Sequence, residues 1–196
     1  MIGHEGNARA LVRLLRDRGQ AAARLVEVEA GLEPGVIEVP APDNIHATWV
    51  DVVSKGRFPT WMVMARDTPL RRTARESDRD GEYDETEWRY PFLIATHVVG
   101  GHENDVALQR YRLMLVVRTI LIQAKGLIRT PTERSVIYLD DMQEIVGGMA
   151  ENGGKYLLEG RNEFHITSTE RTPAIQPSLG PVEGFATDET FLPEEP

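Results

Sequence analysis

The sequence predicts an α+β fold in which two long helices pack on a mostly antiparallel sheet, with a long acidic loop and an extended C-terminal arm. Three observations support this prediction: two segments have helical apolar spacing, several short segments have strand composition, and two segments are acidic and poor in apolar residues. The 196 residues, 41% of them hydrophobic, suffice for one domain with a core. We therefore predict a single domain over residues 1–171 and an arm over residues 172–196.

Two segments have the three-and-four spacing of an amphipathic helix. The first continues across Gly19, has Asn7 as its predicted N-cap, and ends before Pro34 because proline cannot continue a helix. The second begins near Asn104 and ends at residues 125–126. Their apolar positions are Ala8, Leu11, Val12, Leu15, Ala22, Leu25 and Val26 in the first, and Val106, Leu113, Val116, Val117, Ile120, Leu121 and Ala124 in the second.

Six short segments have strand composition, rich in β-branched and aromatic residues. They are residues 36–39, 60–66, 88–99, 135–139, 155–159 and 163–169. The last two are predicted to form a hairpin, since the Gly-Arg-Asn sequence at 160–162 separates them. The apolar spacing in residues 45–52 predicts one or two turns of helix.

The formal charge of −9 lies mainly in two segments. Residues 76–87 contain seven acids and one arginine, and residues 172–196 contain five acids and no lysine or arginine. The rest of the chain is close to neutral and has no basic stripe, so a sequence-specific nucleic-acid reader is not expected. Residues 68–87 contain few apolar side chains and are predicted to form an exposed acidic loop, and the proline-rich C-terminal segment is predicted to be an extended arm.

The absence of several features excludes whole classes of function. The sequence contains no cysteine, which excludes disulfides, thiolate nucleophiles and thiolate metal sites. It has no apolar run long enough to span a membrane and no signal-peptide pattern at its start, so we expect a cytoplasmic origin and no membrane partner. It also lacks a phosphate loop, a dinucleotide fingerprint and a nucleophile elbow. We therefore predict no enzymatic activity, no catalytic residue and no cofactor.

One acidic segment has a metal-binding alternative. Residues 76–87 place oxygen donors at positions one, three, five, nine and twelve of a calcium loop, with Gly81 at position six. Against this interpretation, Glu76 stands where aspartate is the rule, and a strand is predicted to follow instead of a helix. His97 and His102 are separated by a Gly-Gly turn and cannot share a helix face. We predict no resident metal, and a calcium-binding or metal-dependent domain remains the alternative function.

The order of elements carries the remaining information. A long N-terminal helix is followed by a proline-rich turn at 39–42, a strand at 60–66, an aromatic strand at 89–94, and a Gly-Gly turn that leads into the helix at 104–112. This order, over residues 7–169, resembles the small tail-terminator and neck proteins of long-tailed bacteriophages. The resemblance implies a structural virion protein that forms a six-membered ring, caps the finished tail tube and joins the tail to the head.

The resemblance also implies partners and a location. The partners are further copies of the chain, the tail-tube protein and the head-tail connector, with genomic DNA only passing through the channel. The location is the neck of a virion assembled in the host cytoplasm. On this interpretation Arg110, Tyr111 and Arg112 form a helix face that contacts a neighbouring subunit, and Arg79 provides a second contact. A third interpretation is an adaptor that adds a strand to the edge of its sheet.

Overall fold

The computed structural model describes residues 3–48, 57–66, 70–72, 83–124, 126–129 and 133–173. Within these ranges the chain forms two helices, α1 (Gly3–Glu29) and α2 (Glu103–Gln123), and a 3-10 turn at Pro42–Asn44. It also forms seven strands: β1 (Ile45–His46), β2 (Thr60–Ala65), β3 (Leu70–Arg72), β4 (Tyr83–Gly100), β5 (Ile128–Arg129), β6 (Glu133–Asn152) and β7 (Lys155–Pro173). The sheet has the order β1-β2-β4-β7-β6-β5, and β3 pairs with β4 beyond the end of β2.

Helix α1 is continuous across Gly19, as predicted, and the Trp61 ring packs against that position. The helix begins at Gly3, so the prediction of Asn7 as an N-cap is wrong. Asn7 is buried inside α1, and its amide donates a hydrogen bond of 3.1 Å to the Ser168 hydroxyl on β7. The helix ends in a Schellman motif, in which Gly31 takes a positive φ of 63°.

The predicted arrangement of two long helices on a mostly antiparallel sheet is wrong. The sheet is mixed, because Ile45 of β1 pairs in parallel with Trp61 of β2. The helices also do not form a simple layer on the sheet. Helix α2 lies across β4 and β7, whereas α1 packs mainly against α2 and approaches the sheet chiefly at β1 and β2. This arrangement follows from the apolar side chains that α2 has on more than one side.

The first two predicted elements after α1 also differ from the structure. Residues 36–39 do not form a strand, because the Glu27 carboxylate accepts the backbone N–H groups of Gly35 and Ile37 at 2.9 and 2.8 Å. Ile45 begins a strand and not a helical turn, and the segment from residue 49 to 56 lies outside the described residues. These backbone donors are therefore bonded to a side-chain carboxylate and not to a neighbouring strand.

The C-terminal strands are much longer than predicted. The segments 155–159 and 163–169 are parts of the single strand β7, so the predicted hairpin between them is wrong. The hairpin joins β6 to β7 through Gly153 and Gly154, which both have a positive φ and close a two-residue turn. Strand β7 continues through Gly160. The residue is glycine because a side chain at this position would collide with Met114 of α2. It is a close-approach glycine and not a turn glycine.

The sheet has two unlike faces. The first face carries Phe92 and Phe164 into the main core, where they pack with both helices. Because side chains alternate along a strand, the neighbouring residues Leu93 and Ala95 lie on the second face, in a smaller apolar cluster with Met62. The two faces define the positions of the candidate site residues described below.

The predicted acidic loop at 68–87 is partly replaced by strands. Leu70–Arg72 forms β3, and β4 begins at Tyr83 and pairs with β7 from its first residue. Residues 73–82 and the predicted arm from residue 174 onward lie outside the described residues. The boundary between domain and arm at residue 171 therefore falls within β7, which continues to Pro173.

Candidate functional site

The structure describes three of the four predicted interface residues, all on α2. Arg110 is only 5% exposed, and its guanidinium lies 4.7 Å from the centroid of the Tyr111 ring. Its Nε has no hydrogen-bond partner among the described residues. Tyr111 is 51% exposed and Arg112 is half-buried, whereas Arg79 lies outside the described residues. Tyr111 and Arg112 therefore stay candidates for a neighbour contact, and Arg110 belongs to the packing between α2 and β7.

Tyr111 lies within an exposed apolar stripe along α2. We call this surface the α2 stripe: Leu108, Tyr111, Leu115 and Ile122. The spacing of three, four and seven residues keeps these side chains on one side of the helix, over about 20 Å of its length. Leu108, Tyr111 and Ile122 are 48%, 51% and 56% exposed. Aligned exposed apolar side chains are typical of a contact surface between proteins.

A groove adjoins the α2 stripe near the start of α2. It has a volume of about 420 Å³ and lies between α2 and the end of β4. Its walls include Leu108 from the stripe, Val98 from β4 and Phe58, and Arg112 and Asp105 place opposite charges at its rim. The groove joins the α2 stripe at Leu108, and its lining is both apolar and charged.

The outer border of the sheet is a second exposed surface. Strand β6 pairs with β7 on one side, but on its other side only Arg134 and Ser135 pair, with β5, among the described residues. Two register irregularities, after Tyr138 and after Val146, bend the strand. Tyr138, Val146 and Met149 are 47%, 49% and 53% exposed. The sequence predicts a strand only over residues 135–139 of β6, because the weak alternation of residues 140–151 gives no signal for a strand.

The second face of the sheet carries a network of paired charges. Glu159 lies 3.7 Å from Nε2 of the buried His97 and forms an ion pair with Arg161. Two further ion pairs join β7 and β6 to neighbouring parts of the sheet: Glu163 with Arg66, and Asp141 with Arg89. These carboxylates have cationic partners, so the network is suited to holding strands together.

Burial determines the titration of the histidines in this network. Burial lowers the pKa of His97 below its ordinary value; Glu159 acts in the opposite direction and Arg161 acts in the same direction as burial. Burial also lowers the pKa of His165, whose Nδ1 lies 3.2 Å from the Arg89 guanidinium. Both histidines are therefore held toward the neutral form.

The calcium interpretation loses part of its loop. Residues 83–87 belong to β4, and Asp84 and Glu87, at positions nine and twelve of the proposed loop, lie in extended backbone with about 10 Å between their Cα atoms. Residues 76–82 lie outside the described residues. In the part of the chain that the structure describes, no group of three His, Asp or Glu side chains is placed to hold a metal ion.

The comparisons with known proteins add no family. No protein-family model matches the sequence, and no curated protein matches it either. Among the described residues, neither helix is long and apolar enough to cross a bilayer. The arguments about function therefore rest on the surfaces described above.

Proposed function

We propose that this protein is a structural component of the neck of a long-tailed bacteriophage. It forms a six-membered ring that caps the tail tube and joins the tail to the head. Its partners are further copies of itself, the tail-tube protein and the head-tail connector. DNA passes through the ring, and the protein performs no bond chemistry.

The observation that carries the proposal is the α2 stripe. A helix that already packs against α1 and the sheet has a further apolar side, and this side is exposed in the single chain. Covering three large apolar side chains in an assembly is favourable, by roughly 25 cal/mol for each Å² removed from water. Tyr111 provides an aromatic anchor of the kind that contributes strongly at protein interfaces.

The location can be tested directly by imaging virions. An antibody against this protein, imaged by electron microscopy on intact particles, is expected to label the junction of head and tail. Label at the distal tail tip or on the capsid, or no label on any particle, would overturn the proposal. Virions are the appropriate sample because they contain both the head and the tail that the proposed ring joins.

The role of the α2 stripe can be tested with matched variants. The double substitution Tyr111→Ser/Ile122→Ser should lower incorporation into virions about tenfold, because two exposed apolar contacts are removed. The control is Leu25→Ser/Val28→Ser, which alters two exposed apolar residues of α1. Equal incorporation of both variants and the wild type would remove the α2 stripe from the assembly surface.

A further inference from the structure

The sheet ends in a long open border at β6. Between residues 140 and 151 this strand pairs with β7 at residues 143–146 and 149–151, and no strand lies on its other side within the described part of the chain. Most of these residues are exposed, including Asp140 and Glu151. An open strand of this length presents unpaired backbone N–H and C=O groups, which form a template for a further strand.

The opposite border of the sheet is also open. Strand β1 pairs with Trp61 and Met62 of β2, and β3 pairs with β4 at Arg89 and the two preceding residues. No further strand lies outside β2 beyond β1, or outside β3, among the described residues. Each subunit therefore has two different open borders on opposite sides of one sheet.

The two borders carry opposite charges. Residues 140–151, which we call the acidic edge, contain four carboxylates and no lysine or arginine: Asp140, Asp141, Glu144 and Glu151. On this border β1 contains no lysine, arginine or carboxylate, whereas residues 57–66 and 70–72, which we call the basic edge, contain four arginines and no carboxylate: Arg57, Arg66, Arg71 and Arg72. Arg66 already forms an ion pair with Glu163, so the charge reversal is made at Arg71 and Arg72. Two acidic edges facing each other would place like charges opposite one another, whereas an acidic edge facing a basic edge would pair unlike charges.

We infer that the acidic edge of one copy of this chain pairs with the basic edge of a second copy, so that the sheet continues from subunit to subunit. Such a contact joins two different surfaces, and its repetition with a closing rotation produces a ring. Closure as a ring rests on the proposed function, whereas the pairing of two copies can be tested without it. The acidic edge has charge to spare, because Asp140 and Glu151 form no ion pair within the described residues.

The test is an exchange of charge between the two edges. Asp140→Lys/Glu151→Lys reverses charge on the acidic edge, and Arg71→Glu/Arg72→Glu reverses it on the basic edge. Each variant alone should raise the dissociation constant of self-association, measured by sedimentation velocity, by at least about tenfold. The quadruple variant, with both edges reversed, should regain self-association because unlike charges face each other again.

A matched control carries the same change of charge elsewhere. Asp17→Lys/Glu29→Lys alters two exposed carboxylates of α1 and should associate as the wild type does. Circular dichroism of each variant identifies any that is unfolded. In wild-type assemblies, hydrogen exchange should be slower in residues 140–151 than in the monomeric edge variants, because strand pairing protects backbone amides.

Three results would overturn the inference: a wild type that does not self-associate at any concentration, edge variants that associate normally, or a folded quadruple variant that stays dissociated. The proposed function and the edge pairing are tested by different results. Neck labelling together with normal association of the edge variants would retain the function and reject the edge pairing. Edge-dependent association with label away from the neck would reject the function and retain the pairing.

Discussion

Gly160 of β7 lies directly under Met114 of α2. A β-carbon placed at residue 160 would be 2.9 Å from Cγ of Met114 and 3.1 Å from Cγ of Arg110. The absence of a side chain therefore sets how closely α2 approaches the sheet. The amide of the neighbouring Asn162 donates a hydrogen bond of 3.3 Å to the Met114 carbonyl at the same contact. Gly160 and Asn162 of β7 therefore allow α2 to pack closely on this strand.

The first prediction concerns this contact. Gly160→Ala should lower the free energy of unfolding by about 1–3 kcal/mol, because the added methyl group overpacks the space under Met114. Urea denaturation measures the change. Gly148→Ala is the control, since a β-carbon there meets no atom within 4 Å and should change stability by less than about 0.5 kcal/mol. Equal effects at both positions would contradict the packing argument.

The second prediction concerns the pH dependence of stability. Hydrogen bonds from the backbone of Ile37 and Gly35 lower the pKa of Glu27 below its ordinary value of about 4.5. The ionised carboxylate therefore stabilises the fold fully above that value, and its contribution is lost as the pH falls through the lowered pKa.

Thermal unfolding of Glu27→Gln tests this linkage. The wild type should have a higher Tm than the variant at pH 7, and the difference should shrink as the pH falls below about 4.5. Glu29→Gln, at an exposed position of the same helix, should have little effect on the Tm at pH 7. A difference between wild type and Glu27→Gln that is constant with pH would show that the charge of Glu27 is not responsible.

The third prediction concerns Arg112, at the rim of the groove beside the α2 stripe. Arg112→Glu should leave the monomer folded and weaken ring formation about tenfold, because it reverses a charge at the proposed contact. Sedimentation velocity measures the association. Arg13→Glu makes the same change at an exposed position of α1 and should have no effect. Unchanged sedimentation of Arg112→Glu would remove this residue from the interface.

The fourth prediction concerns calcium. Adding calcium should leave the Tm unchanged, because residues 83–87 of the proposed loop are extended strand. If the protein had a calcium site, a free calcium concentration of 100 times its Kd would instead add about 2.7 kcal/mol to the free energy of unfolding. A rise in Tm with calcium that EGTA reverses and Glu87→Gln abolishes would favour the calcium-binding alternative.

Local patterns were sufficient for the helices and for the middle of the sheet. The three-and-four spacing identified α1 and α2 to within a few residues, and alternation identified β2 and the core of β4 around Phe92. The same spacing contained the α2 stripe, since Leu108, Tyr111 and Ile122 lie outside the buried stripe of that helix. Only Tyr111 was singled out from this second stripe.

Long-range contacts account for what the sequence did not predict. The sequence predicts a turn at Gly160, but the role of this residue depends on Met114, 46 positions earlier in the chain. Residues 36–39 had strand composition, but the carboxylate of Glu27 occupies the backbone donor of Ile37. The open border of β6 depends on which strands pair with it, and local composition does not predict strand partners.

The hydrogen bond from Asn7 to Ser168 has a consequence for how the chain folds. It joins residues 161 positions apart, and the long pairing of β4 with β7 likewise spans a large part of the chain. During synthesis, the beginning of the chain leaves the ribosome well before the strand that completes its packing. Domains dominated by such distant pairings fold slowly, in milliseconds to seconds, and the contact between Asn7 and β7 forms only after residue 168 has been synthesised.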